Sequence, residues 1–467
     1  MSRATTHEGA TVLAGGALEA GRLARPATSL SIGCGSGYSN DRLDLAADLA
    51  GSGLVSYLGF DCLAERTLAL AQMQRRADPD RGHDQRIGKL PALLRDYLAA
   101  GGRMVGNFGA ANPTAAQRDC LDGLRATGLT GVRVGVIEGD DVLDLVTELD
   151  CELPELGSTV SREAHRVVSA NAYIGADGVV DCLAGGAQIV IGGRLSDPSI
   201  FVGPICHELG WQLDDWPRVA LATMAGHLLE CGVHSTGGNY EDPPFRFVPD
   251  PHNLGFPYAV VEDGSVVLRK LPGTGGRIDR QVVRSQLYFE ICDPRHYPTP
   301  DVTADFSEVL VEEVGEDQVR LSGVTGRERP DRLKVLVGLD LGWRALGEAS
   351  YGGPGAIDRA RRAEEIIRRR LEPVSAEIAE IDVSYHGVNA LFGDSSPSGQ
   401  PSEVRLRVAA QCHTEAAARA VAYEAEYLYF GPAAAGGMTS SVSPAIGVTP
   451  AYVPRARVRT DFEVVTA

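Results

Sequence analysis

The first 200 residues repeat one pattern, which constrains the fold more than any other feature of the sequence. Each unit is a short apolar stretch, then a turn, then an amphipathic helical pattern. The apolar stretches lie at residues 29–34, 54–60, 103–108, 132–137 and 187–192. Apolar strands that alternate with amphipathic helices are typical of a parallel sheet that is buried on both faces. The sequence therefore predicts an α/β protein with a mostly parallel, doubly wound sheet.

The pattern changes near residue 245, where hairpin signals replace the strand–helix units. Asp263 and Gly264 lie between two β-rich runs within 258–270, and a second hairpin is predicted at 309–324. Later strands are predicted at 333–339, 377–384, 404–410 and 458–465, and helices at 358–371 and 415–429. We expect a lead-in segment at 1–27, an α/β core domain with the functional site at 28–245, and a smaller α+β domain at 246–467.

Charge and composition narrow the class of protein. The net charge of −18 argues against a nucleic-acid surface, which needs clustered Lys and Arg. No apolar stretch approaches the roughly 20 residues of a membrane span, and we see no signal peptide. The nine cysteines include no CxxC pair, which indicates reduced thiols. We therefore expect a soluble, cytoplasmic protein with no nucleic-acid or membrane partner. We also expect a homo-oligomer, because bacterial metabolic enzymes of this size often are.

Polar residues, or glycines that expose the backbone, follow each of the five predicted strands. They are Cys34, Gly35, Ser36 and Gly37 after the first, Asp61 after the second, Asn107 and Asn112 after the third, Glu138 after the fourth, and Arg194 and Asp197 after the fifth. The carboxyl ends of parallel strands meet at one edge of a sheet, where ligands usually bind. Asn and Asp after a strand also cap helices, which remains an equal alternative for Asn112. For Asp61, Glu138 and Arg194 a binding site is the better explanation.

Other residues are candidates on weaker grounds. The turn at 33–37 resembles a phosphate-binding glycine loop but reads GxGxG, so a tight turn without a ligand is equally compatible. Asn171, Tyr173 and Asn239 are able to orient a substrate, although such residues are also ordinary in turns. His227 and Glu230 share a helix face, but no metal-binding motif supports them, so we expect His227 to act as an acid or base and assign no metal ligands.

Eleven phrases of the sequence resemble the acyclic terpene utilisation AtuA family, from about residue 28 to Val464. They include IGCGSGYSNDR (32–42), NFGAANP (107–113), SANAYIGA (169–176), IVIGGRLSDPSIFVGPICHELGW (189–211) and YHGVNALFG (385–393). The resemblance implies a role in the breakdown of branched, acyclic terpenoid acids as coenzyme A thioesters. It supplies a substrate class and no mechanism.

The leading hypothesis is an enzyme with lyase or hydratase chemistry on such an acid or thioester, with CoA as part of the substrate and no certain cofactor. Arg194 and the glycine turn would hold the anion. Asp61 or Glu138 would be the general base and His227 the proton donor. Asn107, Asn171 and Asn239 would orient the substrate.

Two alternatives stay open. One is a hydrolase that uses the many carboxylates with a divalent metal ion, which we expect less. The other is a non-catalytic binding subunit of a complex that processes acyl-CoA.

Overall fold

The computed structural model describes residues 13–14, 27–393, 401–430 and 435–467. The predicted lead-in at 1–27 lies outside the described residues, apart from 13–14 and residue 27. No helix in these ranges is long and apolar enough to cross a membrane.

The strands are numbered in chain order. They are β1 (Leu13–Ala14), β2 (Ser29–Ser36), β3 (Tyr57–Phe60), β4 (Arg103–Gly106), β5 (Arg133–Glu138), β6 (Glu152–Leu153), β7 (Ser158–Thr159), β8 (Val167–Ala172), β9 (Ile189–Gly192), β10 (Pro257–Glu262), β11 (Ser265–Lys270), β12 (Tyr297–Pro298), β13 (Thr303–Asp305), β14 (Leu310–Gly315), β15 (Gln318–Ser322), β16 (Thr325–Arg327), β17 (Arg332–Gly352), β18 (Ile378–His386), β19 (Glu403–Cys412), β20 (Gly436–Pro454) and β21 (Asp461–Thr466).

The α-helices are numbered in the same way. They are α1 (Leu43–Gly51), α2 (Glu65–Ala77), α3 (Leu90–Leu93), α4 (Arg95–Ala99), α5 (Pro113–Thr127), α6 (Leu143–Glu148), α7 (Asp177–Ala184), α8 (Ser199–Leu209), α9 (Trp216–Leu229), α10 (Arg280–Leu287), α11 (Ala356–Leu371) and α12 (Glu415–Tyr427).

The central sheet has the order β1-β21-β5-β9-β4-β3-β2-β10-β11-β15-β14. Its middle five strands, from β5 to β2, pair in parallel, and antiparallel strands extend both edges. The five parallel strands are the five predicted from the repeated pattern. β9 lies between β5 and β4, so the chain reverses its direction of travel across the sheet there, as doubly wound folds do.

Helices pack on both faces of the parallel strands. On one face, Leu49 of α1 packs against Gly33 of β2. On the other, Phe201 of α8 packs against Gly59 of β3. This arrangement explains why the strands are apolar throughout and confirms the predicted α/β class.

The chain divides into two compact units. The first comprises the described residues within 1–162, 169–337 and 449–467, and the second comprises 163–168 and the described residues within 338–448. The predicted boundary near residue 245 falls inside the first unit, because the hairpin β10–β11 pairs with β2 and extends the central sheet. Both predicted hairpins are present, β10–β11 and β14–β15.

The second unit has its own core. In it, α11 and α12 cover a sheet that contains β18 and β19, and the buried residues are mostly small and aliphatic, such as Ala360, Ala418 and Val421. This unit covers only part of the range 246–467 for which the sequence predicted an α+β domain, and that domain stays a prediction.

The close approach of α8 to β3 gives a test of the packing. A Cβ at Gly59 would lie 2.3 Å from the Phe201 ring, so we expect Gly59→Ala to cost about 1–3 kcal/mol of unfolding free energy through overpacking. Gly51→Ala is the control, because nothing lies within 4 Å of a Cβ at that helix position and Ala favours helices. Urea unfolding measures both, and equal stability of the two variants would contradict the packing argument.

Candidate active site

A cavity of about 360 Å³ lies in the first unit, beyond the ends of the parallel strands. Its lining includes Glu65, Tyr173, Asp197, His227, Glu230, Glu290, Tyr297, Arg332, Lys334 and Tyr452. The volume is at the lower end of the range for small-molecule sites. Three residues predicted for the site, Tyr173, Asp197 and His227, lie in this lining.

Arg194 is buried beside the cavity and is 1% exposed. Its Nη1 donates to Asp197 Oδ1 at 2.7 Å and to the Leu195 carbonyl at 2.6 Å, and its Cζ lies 4.0 Å from the centre of the Tyr173 ring. Both the ion pair and the ring stabilise a charge that would otherwise be costly to bury. The guanidinium therefore fixes Asp197 and Tyr173, and its Nη atoms are already engaged with protein groups.

Asp140 holds the β9 exit in place. It is buried, and its Oδ2 accepts hydrogen bonds from the Arg194 backbone N–H and from Asn171 Nδ2, both at 2.9 Å. Gln72 Nε2 donates to Asn171 Oδ1 at 3.0 Å, so both ends of the Asn171 amide are used within the protein. Asn171 therefore positions the strand exits, and Asp140, which the sequence analysis did not select, is the carboxylate that orders this side.

Asp61 and Asn107 form a second fixed pair. Asn107 is fully buried, and its Nδ2 donates to Asp61 Oδ1 at 2.8 Å while its Oδ1 accepts from the Cys62 backbone N–H at 2.6 Å. Burial and the charge of Asp197 raise the pKa of Asp61 well above its usual value, against the opposing effect of Arg194. Asp61 is thus near the charged cluster and holds a proton more strongly than an ordinary carboxyl, but it is outside the residues that line the cavity.

His227 and Glu230 form the most informative pair in the cavity. The His227 Nε2 lies 3.0 Å from the Gln286 carbonyl, which only accepts, so Nε2 carries a hydrogen. The Nδ1 lies 2.9 Å from Glu230 Oε1, and one proton must occupy that contact. Burial raises the pKa of Glu230 to about 6, although the His227 hydrogen bond acts in the opposite direction. The pair therefore holds a proton that either partner can carry.

The two side chains of this pair differ in the contacts that they leave for a ligand, and the role of His227 as the proton donor stays a prediction. Both ring nitrogens of His227 are engaged by protein groups, whereas Glu230 Oε2 is buried and has no hydrogen-bond partner among the described residues. Glu230 is therefore the member of the pair with an oxygen left for a ligand.

Tyr173 connects two further groups of the cavity. Its hydroxyl donates to Glu65 Oε1 at 2.7 Å, and the Lys334 ammonium lies 4.8 Å from its ring centre. Although burial raises the pKa of Glu65, the Tyr173 hydrogen bond and the charges of Arg194 and Lys334 lower it more, so the net shift is downward. Glu65 is consequently ionised under conditions in which Glu230 still holds a proton.

The glycine turn after β2 has a packing function in this structure. A Cβ at Gly35 would overlap the Phe60 ring, and one at Gly37 would lie 2.8 Å from the Cys231 backbone. The Gly37 N–H already donates to Asp41 Oδ2 at 2.7 Å. Neither Cys34 nor Ser36 is exposed, and burial raises the pKa of the Cys34 thiol, which disfavours a thiolate nucleophile. None of the four residues at 34–37 lines the cavity.

Three other predicted residues are also outside the lining. Asn112 caps α5, since its Oδ1 accepts from the Ala115 N–H at 3.3 Å. Glu138 is exposed at the end of β5 and accepts from the Thr114 hydroxyl. Asn239 is exposed in a turn. For Asn112, the helix-cap alternative describes the observed geometry.

Several cavity residues were not assigned to the site from the sequence, namely Glu65, Glu230, Glu290, Tyr297, Arg332 and Lys334. Lys334 could have been selected from the sequence, because it is one of only three lysines and an isolated lysine is a candidate for binding an anion. Arg332 and Lys334 come from the start of β17, and Tyr297 from β12, whose polar surroundings in sequence resemble ordinary loops. Among the described residues, no group of three or more His, Cys, Asp or Glu side chains is arranged to hold a metal ion.

The family model described as "Acyclic terpene utilisation family protein AtuA" matches residues 30–464, which is nearly the whole chain. No curated protein and no solved structure matches the chain.

The buried carboxyl of Asp140 predicts a pH dependence of stability. Burial raises its pKa from 3.8 to about 6, so the folded state binds the proton more tightly than the unfolded state, and stability falls as the pH rises through 6. Asp140→Asn removes this effect. Relative to the unsubstituted protein, the variant should gain about 2 kcal/mol of unfolding free energy between pH 4.5 and 7.5. Urea unfolding at both pH values measures the difference, and Asp96→Asn, at a fully exposed position, should show none.

Proposed function

The chain belongs to the acyclic terpene utilisation AtuA family, and from this premise we propose that it is a metabolic enzyme with lyase or hydratase chemistry. Its substrate would be a branched, terpenoid-like carboxylic acid or the CoA thioester of one. The observation that carries the proposal is the His227–Glu230 pair, which keeps a proton on a buried carboxyl in a cavity of small-molecule size. A carboxyl with a pKa raised towards neutrality is suited to general acid–base catalysis.

The two carboxyls of the cavity with opposite pKa shifts suggest an assignment of roles. Glu65, whose pKa is lowered, would take a proton from water as the general base. Glu230, whose pKa is raised, would give a proton to the substrate carbon as the general acid. Water would then add across a carbon–carbon double bond, with hydroxide on one carbon and the proton on the other, and lyase chemistry would be the reverse. The proton that Glu65 takes from water would return through solvent to the His227–Glu230 pair, which restores both carboxyls for the next cycle.

Charged residues of the lining support an anionic substrate. Arg332 and Lys334 have no carboxylate within 4 Å among the described residues, in contrast to Arg194, which is paired with Asp197. They are therefore better placed than Arg194 to bind a substrate carboxylate. A cavity of about 360 Å³ holds the acyl part of a thioester and is too small for the whole of CoA.

The acid–base role predicts the effect of removing one carboxyl. Glu230→Gln should lower kcat by about 100-fold or more and leave ligand affinity within a few-fold, because the amide keeps the shape but has no proton to transfer. Glu155→Gln is the control, since Glu155 is exposed outside the cavity lining, and its kcat should be unchanged. Full turnover in Glu230→Gln would refute the assignment.

A thermal-shift screen distinguishes the proposal from its alternatives. We expect branched carboxylic acids or their CoA thioesters to raise the melting temperature, because a ligand that binds only the folded state stabilises it. A shift with divalent metal ions that EDTA reverses would favour a metal-assisted hydrolase instead. A ligand that binds to a protein with no measurable turnover would favour a non-catalytic binding subunit.

A further inference from the structure

A second cavity, of about 210 Å³, lies in the first unit and shares only Leu333 with the lining of the acid–base cavity. It is polar on one side, where its lining includes Asp177, Gly178, Arg329, Arg455 and Thr460. The sequence analysis selected none of these residues. Two guanidiniums in one small cavity of a protein with a net charge of −18 call for a physical explanation.

Arg455 holds a positive charge without a carboxylate partner. Its Nε donates to the Pro330 carbonyl at 2.8 Å and its Nη2 to the Pro300 carbonyl at 2.7 Å. No carboxylate oxygen lies within 4 Å of it, and its Nη1 has no hydrogen-bond partner, among the residues that the structure describes. The two carbonyls orient the guanidinium but leave its charge and one donor group available.

Arg329 is paired with the carboxylate of Asp177. Its Nη1 lies 3.1 Å from both oxygens of Asp177. Burial and the charge of Arg329 lower the pKa of Arg455, and the opposing charges of Asp301, Asp177 and Asp331 do not cancel this effect. The two guanidiniums therefore repel each other, and an anion between them would relieve that repulsion.

The start of α7 adds backbone donors to the same cavity. Asp177 and Gly178 are its first two residues, whose N–H groups have no partner within a helix. The N–H of the preceding residue, Ala176, donates to Asp301 Oδ1 at 2.8 Å. The helix dipole also favours negative charge there. The carboxylate of Asp177 itself lines the cavity, but it is engaged with Arg329.

We propose that the cavity between Arg329 and Arg455 binds a phosphate group, separately from the chemistry of the acid–base cavity. The planar guanidiniums and the first-turn N–H groups offer several donors to one tetrahedral oxyanion, as phosphate sites commonly do. The proposal does not depend on the function proposed above. The phosphate is either free inorganic phosphate or part of a phosphorylated small molecule.

Isothermal titration calorimetry on the full-length protein tests the site, with inorganic phosphate and with CoA as an organic source of phosphate. Arg455→Gln should weaken binding by about tenfold or more, because it removes a charged hydrogen-bond donor. Arg329→Gln is a second variant, in case Arg455→Gln alters the fold through the two proline carbonyls. Binding of phosphate alone would identify a free-phosphate site, and tighter binding of CoA would identify an organic ligand.

A matched variant controls for charge. Arg457→Gln removes an arginine from the same segment that is paired with Glu148. It should bind the probes as the unsubstituted protein does. Failure of both probes to bind at millimolar concentration would overturn the proposal. So would binding that Arg455→Gln and Arg329→Gln both leave unchanged.

Discussion

The buried guanidinium of Arg194 is the constraint on which the rest of the candidate active site depends. A charge in the interior is tolerated only with partners, and here the partners are the Asp197 carboxylate, the Leu195 carbonyl and the face of Tyr173. Asp140 fixes the backbone of the same residue. Groups that follow β5, β8 and β9 are therefore positioned by a single side chain and its backbone. If the guanidinium were lost, Asp197 and Asp61 would face each other without a compensating charge.

The proton of the His227–Glu230 pair is held in place by hydrogen bonding and by burial. The Gln286 carbonyl fixes the hydrogen on one nitrogen of His227, and so determines what the other nitrogen can do. Because burial disfavours an ionised Glu230, the proton stays within the pair. A group fixed in this way needs no reorganisation before it acts, which is the usual advantage of a preorganised site. The charged residues Arg332 and Lys334 then lie on the part of the lining where an anionic ligand would need them.

The sequence predicted the parallel sheet well because buried strands and amphipathic helices have distinct periods. It also placed Asp61, Asn107, Arg194 and Asp197 at the strand ends, where the structure has them. It could not tell which polar groups are used internally, because Asn171 and Asn107 resemble substrate-binding amides until their partners are known. β20 was missed because its prolines and glycines are typical of loops. Glu230 was considered only as a metal ligand, since its free oxygen depends on the orientation of His227.

β5 cannot pair along one of its edges until β21, far later in the chain, has been synthesised. β21 is made last, at residues 461–466, yet it pairs along the whole length of β5, at residues 133–138. While the ribosome makes the intervening 322 residues, β5 has an unpaired backbone edge in a sheet that is otherwise able to form. Such an edge is a site for pairing with other nascent chains. The fold therefore leaves this edge of β5 open while the segment between β5 and β21 is translated, and pairing with β21 covers it.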